Sequence, residues 1–143
     1  AELTLAVGHD AEKLHGRVEE LDWAKFLPGV FVIRVFHMTP DEEKNAPTLH
    51  DALRPGYHHI ILLDTATQGG QDGGSGVSFN WSHVSNIPVP FLIAGGLTPD
   101  NVQEALTQSL AAGVDTSSGV ETEGQKDTAK ITAYVENARR VLS

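Results

Sequence analysis

Two segments in the last third of the chain carry the residue types that could do chemistry. One is Phe91-Leu92-Ile93-Ala94-Gly95-Gly96-Leu97-Thr98-Pro99-Asp100-Asn101-Val102, and the other is Gly113-Val114-Asp115-Thr116-Ser117-Ser118-Gly119-Val120-Glu121. Each reads as a short apolar strand that runs into a Gly- or Ser-rich turn, with a helix further on. Such turns leave backbone N–H groups free near a helix N-terminus, a setting that binds phosphate. At Gly95 and Gly96 a Cβ would hold the chain away from the phosphate oxygens. Ser117, Ser118 and Gly119 would complete the cradle. The plainer alternative is two tight turns between strand and helix, and a single Gly-Gly would not decide between them. Upstream, Asp64 closes the apolar run His59-Ile60-Ile61-Leu62-Leu63. It could serve there as an acid or simply start a turn with Thr65 or Thr67. Asp115 is the other carboxylate at a strand end.

These residues need elements to position them, and the chain alternates strand-like and helix-like stretches. Residues 11–14 read as a short strand ending at His15-Gly16, and 19–26 as a helix. Val30 to Phe36 is continuously apolar and β-branched, the pattern of a strand covered on both faces. Thr39-Pro40-Asp41-Glu42 reads as a helix start with proline in the first position; the helix, or a broken version of it, reaches about Leu53. A long Gly-rich loop covers 65–78. Its Gly73-Gly74-Ser75-Gly76 lacks the spacing of a dinucleotide fingerprint and reads as a mobile or surface loop. A short helix over 79–85 and a strand over 90–94 follow. Thr98 is expected to cap a helix with Pro99 in its first position, ending near Leu110. A strand over 112–116 precedes a final helix over 128–142, with Ile131, Tyr134, Val135, Ala138 and Val141 or Leu142 on one face.

About five strand–helix units in a row imply parallel strands with crossover helices. A flavodoxin-like open sheet would also fit. The absence of a Gly-rich turn after the first strand and its presence after two late strands favour a (β/α)8 barrel segment, whose phosphate grip follows its last two strands.

At 143 residues the chain reads as a single domain, with a hydrophobic fraction of 40% and a formal charge of −9. That charge argues against nucleic acid and anionic membranes as partners, though not against a small anion held by amides. No apolar run approaches the roughly 20 residues a membrane span needs. The start shows no basic signal-like region, and the chain has no cysteine, both consistent with a cytoplasmic setting. His58 and His59 are adjacent, so on a strand they face opposite ways and cannot share a metal. With His50 they read as surface and core polar residues, Trp81 reads as packing, and no metal is expected.

Leu14-His15-Gly16, Leu62-Leu63-Asp64, Gly73-Gly74-Ser75-Gly76 with Asn80-Trp81, the two late segments above, and Gly124, Lys126 and Asp127 stand in an order and spacing that resembles phosphoribosylanthranilate isomerases, particularly the fungal ones. The resemblance runs over nearly the whole chain. It implies a TIM-barrel fold of which these residues cover about strands 4 to 8, with the N-terminal strands absent, as a single partial domain over residues 1–143. It implies the Amadori rearrangement of N-(5-phosphoribosyl)anthranilate in tryptophan biosynthesis, with no cofactor and a sugar phosphate as the small-molecule partner. It makes Asp64 the general acid that opens the ribose ring, Gly95, Gly96, Ser117, Ser118 and Gly119 the phosphate site, and Asp115 a substrate contact. The family's general base, a cysteine on the first strand, and an arginine for the anthranilate carboxylate have no counterpart here. The chain alone is therefore expected to be inactive. Its open sheet edges would call for the missing N-terminal segment or self-association. Two rival readings are another sugar-phosphate barrel enzyme and a non-catalytic phosphate-binding half-barrel. Against an indole-glycerol-phosphate synthase, no set of lysines stands at strand ends.

Overall fold

A computed structural model describes the backbone of residues 11–14 and the full residues 31–54, 60–66 and 79–142. The helix expected over 19–26, the Gly-rich loop from 67 onward, and His15, His58 and His59 lie outside the described residues.

A 5-stranded sheet in the order β1-β2-β3-β4-β5 organises the molecule. Its strands are β1 (Ala11–Leu14), β2 (Phe31–His37), β3 (Ile60–Asp64), β4 (Phe91–Ala94) and β5 (Gly113–Asp115). Every neighbouring pair is parallel. The spatial order follows the chain order. A flavodoxin-like sheet would instead reverse direction at a switch point, so that alternative is removed.

The apolar runs on β2, β3 and β4 exist because both faces of the sheet are buried. Phe36, Ile61, Leu63, Phe91 and Ile93, joined by Val114, point to one side and meet the helices. Val35, Leu62 and Ala94, with Ile33 and Leu92, point to the other and form a smaller cluster. Arg34 is the one charged side chain buried within the sheet among the described residues. Its guanidinium reaches Asp51 at 3.1 Å and lies 4.6 Å from the centre of the Phe36 ring. A buried guanidinium is tolerated only with such partners.

Helix α1 (Glu42–Ala52) follows β2, α2 (Val102–Ser109) follows β4, and α3 (Thr128–Leu142) ends the chain. A 3-10 turn at Trp81–Val84 stands where the short helix was expected, and Trp81 packs, half-buried, against the main core. Two helix starts differ from the sequence reading. Asp41 caps α1 by accepting from the Glu43 N–H, so Pro40 lies just before the helix rather than in its first position. Pro47 sits inside α1. Thr98 and Pro99 belong to a turn ahead of α2. The Asn101 side chain does not cap that helix; it accepts from the Thr98 N–H at 2.7 Å and donates to the Gly96 carbonyl at 2.9 Å.

The final helix keeps its expected bounds, but only part of its apolar face is covered. Tyr134 and Ala138 are buried, while Ile131, Val135, Val141 and Leu142 stay exposed. Among the described residues no helix is long and apolar enough to cross a membrane.

Leu63 is 0% exposed at the centre of the main core. Leu63→Ala is expected to destabilise the fold by about 2–5 kcal/mol through lost burial and a cavity. Ile131→Ala on the open face should cost under about 1 kcal/mol. Urea denaturation of the two variants checks the contrast.

Candidate functional site

Strand register assembles the site. His37 pairs with Asp64, Asp64 with Ala94, and Ala94 with Asp115, so the C-terminal ends of four adjacent strands lie in one row. Residues in such a row share a face, here that of Val35, Leu62 and Ala94. Asp64 and Asp115, which are 51 positions apart in sequence, are thereby brought to the same end of the sheet. They stand two strand spacings apart, roughly 10 Å.

Asp64 is held from three directions. Its carboxylate Oδ1 accepts from the Ala66 N–H at 3.0 Å. Its carbonyl accepts from the Met38 N–H at 2.8 Å. Oδ2 faces the His37 ring, with Nδ1 at 3.6 Å. One carboxylate oxygen is thus fixed by the backbone and the other lies against the His37 ring, and the side chain as a whole keeps 24% exposure. Thr65, buried behind it, donates twice to the Ala94 carbonyl: its N–H at 2.8 Å and its hydroxyl at 2.9 Å. This locks the Asp64 turn to the end of β4.

Gly95 has a reason for being glycine beyond the close approach of a ligand. With φ at +98° it lies in the left-handed region, and a Cβ there would overlap the Ala66 amide and stand 2.6 Å from Asp64 Oδ1. Any side chain at 95 would displace the carboxylate. Gly96 follows at φ +66°, and together they turn the chain so that Leu97 dives into the core while Gly95 stays half-buried and Gly96 exposed.

The second turn is bonded to the first. The Thr116 hydroxyl donates to the Leu97 carbonyl at 2.7 Å. A Cβ on Gly119 would overlap that same carbonyl. The Gly95-Gly96 and Ser117-Ser118-Gly119 turns therefore form one continuous surface, with Ser117 and Ser118 exposed. A 3-10 turn, Ser118–Val120, and a hairpin of β6 (Glu121–Thr122) and β7 (Gln125–Lys126) continue from it. Neither element was read from the sequence.

Asp127 caps α3. Its Oδ1 accepts from the Ala129 and Lys130 N–H groups and its Oδ2 from the Thr122 hydroxyl. The Thr122 bond first, and then the amides, hold the Asp127 carboxyl below its ordinary value. Tyr134 is the reverse case: burial first, and the Asp115 charge second, push its phenol well above the ordinary tyrosine value. A cavity of about 380 Å³ lies outward of the linked turns, lined by Thr98, Pro99, Asp100, Gly119, Ala129, Lys130 and Ala133.

The structure thus brings together all of Asp64, Gly95, Gly96, Asp115, Ser117, Ser118 and Gly119. The sequence reading passed over His37 and Thr116. The signal for His37 was its place at the end of the clearest strand; Thr116 has no sequence signal, since its bond spans two turns.

Residues 2–137 match the family model of N-(5'-phosphoribosyl)anthranilate (PRA) isomerase. The multifunctional tryptophan biosynthesis protein of Schizosaccharomyces pombe is 43% identical over 129 residues, covering 90% of this chain and 15% of that protein. The solved N-(5'-phosphoribosyl)anthranilate isomerase of Pyrococcus furiosus is similar with a TM-score of 0.73 at 27% identity, covering 94% of this chain and 64% of that one. A phosphoribosyl anthranilate isomerase solved in complex with reduced 1-(o-carboxyphenylamino)-1-deoxyribulose 5-phosphate is similar with a TM-score of 0.65 at 28% identity, covering 92% of this chain and 60% of that one. The chain spans between 15% and 64% of the length of the curated relatives matched first.

Two outcomes follow from this geometry. Thr116→Val should cost about 1–3 kcal/mol by leaving the Leu97 carbonyl short of a donor, read by urea denaturation. Because Tyr134 keeps its proton in the folded state beyond the pH where an unfolded tyrosine loses it, stability should be fully present below about pH 10 and decline above it. Tyr134→Phe should flatten that alkaline decline in denaturation curves taken from pH 8 to 11; an unchanged slope would assign it to other groups.

Proposed function

The chain belongs to the N-(5'-phosphoribosyl)anthranilate isomerase family, and from that premise we propose that it serves the isomerisation of N-(5-phosphoribosyl)anthranilate to carboxyphenylamino-deoxyribulose phosphate in tryptophan biosynthesis. The observation that carries the reading is the register row. It sets Asp64, half-buried with one oxygen fixed by the Ala66 amide and the other against His37, beside a continuous surface of Gly and Ser turns.

In this reading the substrate phosphate sits on Gly95, Gly96, Ser117, Ser118 and Gly119, where amide dipoles favour an anion even on an acidic chain. That anchor places the ribose ring over the ends of β3 and β4. Protonated Asp64 gives its proton to the ring oxygen as the bond from that oxygen to the anomeric carbon breaks, leaving a protonated imine (iminium) at the anthranilate nitrogen, which keeps its own N–H. Loss of the proton on the neighbouring ribose carbon then gives an enolamine, which tautomerises to the ketone. Asp115, in the same row, is a polar contact to the substrate. The family's base for the second step, a cysteine, has no counterpart among these residues. No metal or cofactor takes part.

We assign these residues to about strands 4 to 8 of a (β/α)8 barrel, as a single partial domain. Sequential parallel order and the small cluster of Val35, Leu62 and Ala94 on the face away from the helices support this. Among the described residues β1 and β5 each have one strand neighbour only. Ile131, Val135 and Leu142 lie exposed on α3, the helix that follows β5. An N-terminal segment carrying the remaining strands, or a second copy of the chain, would cover both.

Calorimetric titration with carboxyphenylamino-deoxyribulose phosphate tests the reading. Saturable binding that Gly96→Val abolishes is the expected result. Binding that survives Gly96→Val, or a wild-type chain that binds nothing even with a polypeptide of the first three strands from a relative added, would overturn it.

A further inference from the structure

Lys126 belongs to a motif that none of the chemistry above uses. It ends β7, and its side chain is 53% exposed. Its Nζ nevertheless makes three short contacts, two to Ser117 in the turn that follows β5 and one to Glu121 at the start of β6. It donates to the Ser117 carbonyl at 2.9 Å, to Ser117 Oγ at 3.0 Å and to Glu121 Oε1 at 2.6 Å. An ammonium has three N–H donors, so its hydrogen-bonding capacity is matched to these contacts.

The hairpin exists to bring the lysine there. Glu121 pairs directly across from Lys126, the position at which opposite charges meet on neighbouring strands. The hairpin turns through Glu123 at φ +51° and Gly124 at φ +75°, the pair of left-handed residues that a two-residue loop requires. Behind it, the Asp127 N–H donates to the Val120 carbonyl at 2.9 Å and Lys130 Nζ donates to the Glu121 carbonyl at 2.7 Å. The segment is therefore tied at one end to Ser117 and at the other to α3.

We infer that Lys126 is a positioning residue for phosphate recognition: its ammonium fixes Ser117 and leaves the Ser117 hydroxyl proton as a donor toward the cradle. This rests on the proposed reading of Ser117, Ser118 and Gly119 as the phosphate site. The chemistry is direct. Because Ser117 Oγ accepts from Nζ, its own O–H bond must point elsewhere, and the exposed side of the turn is open to it. A hydroxyl that accepts from a cation is also a stronger donor. The lysine further sets a fixed positive charge beside the turn in a chain of formal charge −9, and so offsets the repulsion of an incoming dianion. Glu121 holds the ammonium in place and in turn draws off part of that charge.

The test compares two ligands by calorimetry on the same 143-residue chain, with the three-strand polypeptide present if the wild type requires it. One ligand is carboxyphenylamino-deoxyribulose phosphate and the other is its dephosphorylated form. Lys126→Gln should weaken the phosphorylated ligand about tenfold, the scale of one charge-assisted hydrogen bond. It should leave the dephosphorylated ligand unchanged, and Lys126→Arg should restore most of the loss. A lysine that merely stabilised the hairpin would weaken both ligands alike, and that result would overturn the inference, as would no change in either. If Lys126→Gln does not fold, Glu121→Gln decides: with the competing carboxylate removed, affinity for the phosphorylated ligand alone should rise, and an unchanged value overturns the inference. A wild type that does not distinguish the two ligands removes the cradle itself, a failure separate from that of Lys126.

Discussion

Parallel register is the constraint on which the rest of this structure depends. Once Leu62 lies beside Val35 and Leu92 beside Leu62, the ends of the strands fall level without further adjustment. His37, Asp64, Ala94 and Asp115 then form a single row, and the chain leaves β2, β3, β4 and β5 at that same edge. A one-residue slip of β3 would send Asp64 to the helix side and Leu63 to the opposite face. The cost of burying that carboxylate among the apolar side chains of the main core is what keeps the register fixed. The core and the candidate site are in this sense held by the same interaction.

The turns above the row are held to each other as much as to their own strands. Thr65 bonds to the end of β4, Thr116 to Leu97, Asn101 to Gly96, and Lys126 to Ser117. The Thr65 and Thr116 bonds tie a turn to its neighbour, and the Asn101 and Lys126 bonds brace a turn from within its own segment. Preorganisation of this kind matters for an amide cradle, because a flexible loop would spend binding energy on its own ordering. It also explains glycine at 95 and 119. Both positions are crossed so closely by neighbouring backbone that there is no room for a Cβ.

The open parts of the molecule are as ordered in their placement as the closed ones. Ile131, Val135 and Leu142 fall on the side of α3 next to the covered stripe of Tyr134 and Ala138. The helix has an apolar arc wider than its present neighbours bury. The strand ahead of it, β5, has β4 as its one strand neighbour among the described residues. An exposed arc and a strand with one neighbour, on consecutive elements, are what an α/β sheet presents where its next strand–helix unit belongs.

Much of this was legible in the sequence, because the relevant physics is short-ranged. A β-branched apolar run makes β2, glycine pairs make turns, and the amphipathic period makes α3, whatever the rest of the chain does. Asp64, Asp115 and the two turns could therefore be named as candidates, and the parallel architecture followed from their alternation. The start of α2 was misread because Asn101 spends its side chain on the Gly96–Thr98 turn instead of on the helix. The role of Lys126 was invisible because its partner lies across a hairpin. Register, the bond between the two turns and the cover of α3 were decided only by tertiary structure. They are set by contacts between residues distant in the chain, where no local propensity reaches.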